Sequence, residues 1–224
     1  MSTDVAFLGE QNAQLPGFLA ESKDVGLGNE NVGADDQQIP RLNLLQALSP
    51  QLDDVEGAKA GLFHNSVTDE LYPNVAVINL FYKKEFTIWR KRNKGGGYCG
   101  AYETNDAATA HVESLPGSPD DYDIQDTAKH ACLLLNSETG EVIQPIMVYL
   151  KGSGMTVSRN WNSQINSFNG DHPRFSSIWT LTSIKKTKDQ DSWFVVKVSD
   201  GSWVPSEKLY NTAKEFYETI KGSI

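Results

Sequence analysis

Residues 75–90 alternate as an extended strand would. Ala76, Ile78, Leu80, Tyr82, Phe86 and Ile88 fall on one face, and Phe81, Lys83, Glu85, Thr87, Trp89 and Lys91 on the other. The run exceeds the usual strand length, so a bulge or bend is expected, and a bulge swaps the faces beyond it. Shorter runs flank it. Residues 41–48 read as strand or short helix, and periodicity does not decide between them. Residues 61–72 predict a small hairpin with a polar turn. Gly95, Gly96 and Gly97 make a turn into 98–102, strands are expected at 130–135 and 142–150, and a second hairpin at 177–186 and 193–198. Two helices stand out. Val157, Trp161, Ile165 and Phe168 recur at helical spacing over 155–168. The last helix is capped by Ser206, has Glu207 in its first turn, carries Leu209, Phe216, Tyr217 and Ile220 as its apolar stripe, and stops at Gly222.

Two segments lack such periods. Residues 1–38 are rich in Gly, Asn, Gln, Asp and Glu, too polar to offset the entropy of ordering, and are read as a disordered acidic arm. The patch Leu15, Pro16, Gly17, Phe18 and Leu19 within it reads either as a short docking motif or as a patch that brushes the domain surface. Residues 103–128 are read as an acidic loop broken by Pro116, Gly117 and Pro119. The expected organisation is therefore an arm, 1–38, and a binding domain, 39–224, with the loop inserted at 103–128. Five to seven mostly antiparallel strands with one internal and one terminal helix predict a mainly β fold with helices (α+β). The architecture that suits them is an OB-like Greek-key antiparallel barrel.

Bulk composition narrows the setting. Two cysteines, Cys99 and Cys132, are too few for a disulfide framework in 224 residues. No apolar run approaches the roughly 20 residues of a membrane helix, and Met1, Ser2, Thr3 and Asp4 do not resemble a secretory signal. A cytoplasmic protein with no membrane partner is expected.

The formal charge of −9 speaks against a polyanionic partner until its distribution is considered. Seven acids against Lys23 alone lie in 1–40, and seven more with no base lie in 103–126. Lys83, Lys84, Arg90, Lys91, Arg92 and Lys94 face only Glu85 in 83–94. Lys151, Arg159, Arg174, Lys185, Lys186 and Lys188 face only Asp171 in 151–188. The expectation is that carboxylates ride on loose segments while cations sit on folded ones.

Candidate chemistry follows that division. No dinucleotide fingerprint, phosphate loop or zinc-protease motif is present, so no catalytic residue, metal site or cofactor is expected, and the chain reads as a binding protein rather than an enzyme. His130 and Cys132 share a strand face, but structural zinc favours pairs with two to four residues between them and no Cys-x-x-Cys is present, so the cysteines read as small buried side chains. Phe81, Tyr82, Phe86, Trp89, Tyr98 and Tyr102 are interleaved with the first basic stretch, while Tyr149, Trp161, Trp179 and Trp193 accompany the second. Cations along a groove with flat rings between them are what single-stranded nucleic acid requires. The expected interface uses Lys83, Lys84, Arg90, Lys91, Arg92, Lys94, Lys151, Lys185 and Lys186 on phosphates, with Trp89 and Tyr98 stacking bases. Trp161, on its helix stripe, is expected in the core.

A family resemblance points the same way. Residues 39–46 (Ile39, Pro40, Arg41, Leu42, Asn43, Leu44, Leu45, Gln46), Ser49 and Pro50, and Gly61 to Thr68 carry it together with Trp89, Arg90, Lys91, Arg92 and the glycines Gly95 to Gly97. Over about 39–200 the chain resembles the OB-fold single-stranded DNA-binding proteins of tailed bacteriophages. That resemblance implies non-specific coating and protection of single strands during replication and recombination. It also implies replication or recombination proteins as partners, here through the N-terminal acidic arm, because the chain ends without an acidic tail. Further copies of the chain are a third expected partner. The rival reading is a phage structural or assembly protein, or an acidic DNA mimic that inhibits a host DNA-binding enzyme.

Overall fold

The computed structural model describes residues 24, 27–33, 36, 38–199 and 201–222. The chain divides into the units Met1–Gln38 and Ile39–Ile224. The patch at 15–19 and most of the expected acidic arm lie outside the described residues. Among the described residues, every strand and α-helix belongs to the second unit.

The long strand is β4 (Asn74–Arg90), and the sheet is built around it. On one edge it pairs along its whole length with β6 (Tyr122–Leu135), which pairs in turn with β7 (Val142–Lys151). Its other edge is shared. Residues 74–78 pair with β8 (Ser177–Lys188), and residues 86–89 pair with β5 (Tyr98–Tyr102). β9 (Asp191–Val198) and the short β10 (Ser202–Trp203) complete a seven-stranded sheet by pairing with β8. All these pairings are antiparallel, and the sheet curls into a half-barrel consistent with an α+β, OB-like fold.

The expected bulge falls at Leu80. Asn79 pairs with Cys132 and Phe81 with the next residue, Ala131, leaving Leu80 unpaired between them. Side chains therefore exchange faces there. Val75, Val77 and Asn79 before the bulge share a face with Tyr82 after it, and Ile78 and Leu80 share the other with Phe81.

Each face carries its own helix. On the first, α3 (Gly154–Asn169) buries Trp161 and Ile165 against Val77, Cys132, Leu134 and Val148. On the second, α4 (Glu207–Ile220) lays Ala213 and Ile220, with Leu209, Phe216 and Tyr217, over Ile78, Leu80 and Leu133. Ser206 caps α4 by accepting a hydrogen bond from the Leu209 amide, as its sequence position predicts.

The remaining strands form a small antiparallel sheet, β1 (Leu42–Leu44), β2 (Phe63–Asn65) and β3 (Leu71–Tyr72), with a short helix α1 (Gln51–Asp54) after β1. Residues 41–48 are thus strand first and turn afterwards. The small sheet links two edges of the large one. Pro40 accepts a hydrogen bond from the Met147 amide of β7 (2.8 Å), and the Gln46 amide exchanges two bonds with the Phe194 backbone of β9 (3.0 and 2.9 Å). Gly61 sits against this second junction at φ +95°, and a Cβ there would come within 2.6 Å of the Phe194 ring.

The acidic segment 103–128 is not a loop. Thr104 caps the helix α2 (Asn105–Ser114), a 3-10 turn covers Pro119–Asp121, and β6 begins at Tyr122, eight residues before the expected start at 130. The physical reason is a modest third core. Ala108 and Val112 of α2 pack with Tyr122 onto Ile88 of β4, enough to fold a stretch whose exposed positions are mostly polar.

Candidate nucleic-acid interface

Beyond Phe81, which still meets Tyr217 of α4, no helix among the described residues packs on this side of the sheet. Pairing places Lys83, Glu85, Thr87 and Trp89 of β4 beside Asp123, Gln125, Thr127 and Lys129 of β6, with Tyr149 and Lys151 of β7 next to them. Tyr98 of β5 lies beside Trp89 on the outer edge. Four strands at about 4.8 Å make this face roughly 15 Å wide. Among the described residues no element packs over it, whereas α2 and α3 cover the reverse side.

The aromatic residues of the face are accompanied by cations. The Lys151 ammonium lies 5.9 Å from the centre of the Trp89 ring. Trp89 is edge-on to Tyr98 at 5.5 Å, and the two rings are 40% and 59% exposed. Further along, Tyr149 is approached by Arg41 at 5.3 Å and by Lys129 at 5.8 Å. Such contacts hold a cation by the ring quadrupole without neutralising it. Polar groups fill the centre, where the Thr87 hydroxyl donates to the Thr127 hydroxyl (2.9 Å).

Carboxylates are present too. Glu85 is buried and bridges Lys129 (2.5 Å) and Lys83 (3.9 Å), while Lys83 also meets Glu103 (3.4 Å). Lys91 pairs with Asp123 (3.8 Å). The face thus holds five cations, Arg41, Lys83, Lys91, Lys129 and Lys151, against three acids, Glu85, Glu103 and Asp123. It is locally positive in a chain of formal charge −9.

The expected site residues divide accordingly. Lys83, Trp89, Lys91, Tyr98 and Lys151 come together on this face. Lys84 points to the reverse side, paired with Asp126 (2.9 Å) and lying over Phe86. Arg90 also belongs to the reverse side, half-buried, with Nε lacking a partner. Arg92 and Lys94 lie in the turn Arg92–Lys94 at the rim, where Gly95 takes φ +104°. Lys94 donates to Asp121 (3.0 Å) and holds that carboxyl below its ordinary range. Lys185 and Lys186 pair with Phe194 and Trp193 on a hairpin that leaves β4 at its Asn74 end, remote from Arg90. The face therefore takes Lys151 from the second basic stretch but not Lys185 or Lys186, and one groove running along both stretches is not what the fold makes.

The segregation of charge also fails for the second acidic stretch. Glu103, Asp121, Asp123 and Asp126 meet Lys83, Lys94, Lys91 and Lys84, because β6 runs alongside β4. Conversely, Lys129 and Arg41 join the face although they lie outside both basic stretches. Only the strand register brings them in.

The opposite side of β4 and β6 holds a buried polar chain that needs a separate reading. Arg174 Nε donates to Asn79 Oδ1 (2.6 Å), which leaves the Asn79 amide nitrogen to face His130 Nδ1 (2.9 Å). Nδ1 is then the acceptor, so the ring proton sits on Nε2 and is donated to Ser158 Oγ (2.8 Å). A histidine that donates to a serine cannot take its proton. The group resembles a Ser-His-Asn triad in composition only. Burial, with the nearby Arg174 charge, lowers His130 to about 3 and keeps it neutral, and burial pushes the Cys132 thiol well above its usual range. Trp161 stacks on the His130 ring at 4.6 Å and is fully buried, as its helix stripe predicts. Among the described residues no three His, Cys, Asp or Glu side chains gather as a metal site would require. No helix there is long and apolar enough to cross a membrane.

A family model, the Pam3 phage gp34-like protein, matches residues 9–223, nearly the whole chain. The chain belongs to that family. The Pam3 phage gp34-like family is described as a phage protein family, which agrees with a phage origin for this chain and says nothing of its ligand. No curated protein and no solved structure matches it.

Proposed function

We propose that this Pam3 phage gp34-like protein binds single-stranded DNA without sequence preference, as a coat for phage replication or recombination intermediates, and is not an enzyme. The observation that carries the reading is the Lys151 ammonium seated over the partly exposed Trp89 ring, beside Tyr98, at the end of a sheet face that no helix among the described residues covers. Bases stack on Trp89 and Tyr98, with Tyr149 as a third ring, while Lys151, Lys91, Lys129 and Arg41 meet phosphates. Stacking contributes roughly 1–3 kcal/mol per base and tolerates any sequence. The curled antiparallel sheet supports the reading, since OB-like barrels present such faces to single strands. Lys84, Lys185 and Lys186 play no part in it.

The test is titration of the full chain with fluorescent oligo-dT at two salt concentrations, following tryptophan emission. Salt-sensitive binding that is weakened in Trp89→Ala is the expected result. Absence of binding at low salt would sink the reading and favour a structural or assembly role, for which copurification with phage particles in stoichiometric amount is the positive sign. The DNA-mimic reading is disfavoured by a specific observation. Four of the acids it needs, Glu103, Asp121, Asp123 and Asp126, are committed to lysines of the same chain.

A further inference from the structure

Arg174 carries a charge that no carboxylate among the described residues answers. It lies in the 3-10 turn Arg174–Ser176 that follows α3, and it is mostly buried. Its Nε and Nη2 donate to Asn79 and Asn162 (2.6 and 2.5 Å), and its guanidinium carbon is 5.7 Å from the Tyr82 ring centre. All three partners are neutral. Among the described residues no acid stands within ion-pair distance of it. Burial lowers its pKa to about 10, so it stays charged at neutral pH. A guanidinium withdrawn from water ordinarily needs a counter-ion.

Arg174 borders a cleft of about 160 Å³, walled also by Asn162, Asn166, Asn169 and His172. That volume is roughly ten times the free space a single water needs to enter, large enough for a tetrahedral oxyanion. Asn169 is buried, and its Nδ2 is committed to the carbonyls of Pro173 and Arg174, yet its Oδ1 has no partner. Asp171, the nearest acid in sequence, is exposed and not part of the wall. His172 also separates this cleft from a larger one of about 400 Å³, where it stands edge-on to Trp203 at 5.6 Å. Trp203 is 51% exposed.

We propose that the Arg174 cleft is a binding site for a phosphate-class oxyanion. The Arg174 guanidinium supplies the counter-charge, the amides of Asn162 and Asn166 line the anion, and Asn169 Oδ1 accepts from a hydroxyl or N–H that the ligand carries. The shared chemistry is a phosphoryl group, whether free phosphate or the phosphate of a mononucleotide whose base lies against Trp203. The site stands apart from the proposed DNA interface, being on the reverse side of β4, so either can fail without the other.

The experiment is a titration of ¹⁵N-labelled full chain with inorganic phosphate and, separately, with thymidine 5′-monophosphate, each against chloride at matched ionic strength. Saturable shifts of the Arg174 Nε–H and the Gly170 amide are expected with at least one of them. Asn166→Asp places a carboxylate on the rim without touching the partners of Arg174, and it is expected to weaken binding at least about tenfold. Its own spectrum shows whether it folds. Tighter binding of the nucleotide, lost in Trp203→Ala, assigns the nucleotide as source, and equal binding of both assigns free phosphate. The proposal is overturned if neither probe shifts these signals at millimolar concentration, if only lysine-face residues respond, or if Asn166→Asp binds as the parent does.

Discussion

The Lys151 ammonium lies over the Trp89 ring at 5.9 Å, although the two residues occupy β7 and β4 and are separated by the whole width of β6. Nothing local in the sequence relates them. The relationship arises because β6 crosses between them in register, pairing Trp89 with Asp123 and Lys151 with Thr127.

Trp89→Ala is expected to weaken oligo-dT binding by between roughly fivefold and a hundredfold, the value of one stacked base. Its stability should change little, because the ring is 40% exposed. Lys151→Ala should weaken binding less and leave tryptophan quenching in place. Lys185→Ala with Lys186→Ala should bind as the parent does, which separates this face from a groove spanning both basic stretches.

If Arg41, Lys91, Lys129 and Lys151 each meet a phosphate, the logarithm of the affinity should fall with that of salt concentration at a slope of about −3. Replacing any one of them by Ala should flatten the slope by about 0.7. Fluorescence titrations across a series of sodium chloride concentrations measure both.

Acid should destabilise the fold through His130. Its unfolded value is about 6.5, and burial lowers the folded one to about 3. Below 6.5 the unfolded chain takes up a proton that the folded chain refuses. The stability linked to this group is therefore complete above about 6.5 and is lost as the pH falls towards 3, by about 1.4 kcal/mol per pH unit between them. Urea unfolding at pH 7 and pH 5 should show that loss, and His130→Gln should remove most of the difference.

Asn79→Leu keeps the side-chain volume but leaves Arg174 Nε and His130 Nδ1 without their partner. A cost of roughly 2–4 kcal/mol is expected from the stranded guanidinium and ring together. Denaturant midpoints at constant m-value measure it.

The two longer helices, the β8–β9 hairpin and the long strand were all legible in the sequence, because each declares itself over a dozen or so neighbouring residues. Val157 to Phe168 and Leu209 to Ile220 show helical stripes, and 75–90 alternates. What could not be read depends on pairing across the sheet. The helix α2 buries only Ala108 and Val112, too narrow a stripe to stand out from its polar neighbours. The start of β6 is obscured by Asp123 and Asp126, which sit on a strand because Lys91 and Lys84 lie opposite. Charge counted along the chain separates those acids from those lysines, and register brings them together. Trp89 and Tyr98 were legible as interface candidates since a basic run surrounds them. Lys129 was hidden between acidic and apolar neighbours, and Arg41 stood alone.

The bond pair between Gln46 and Phe194 has a consequence for the order of synthesis. The residues it joins are 148 apart, and β1 emerges from the ribosome long before β9 exists. The opening strand must therefore wait, its apolar Leu42 and Leu44 unshielded on that side, until β9 has been made. Closure of this junction comes late in the order of synthesis, and a chain stalled before residue 194 would expose a sticky, half-finished seam.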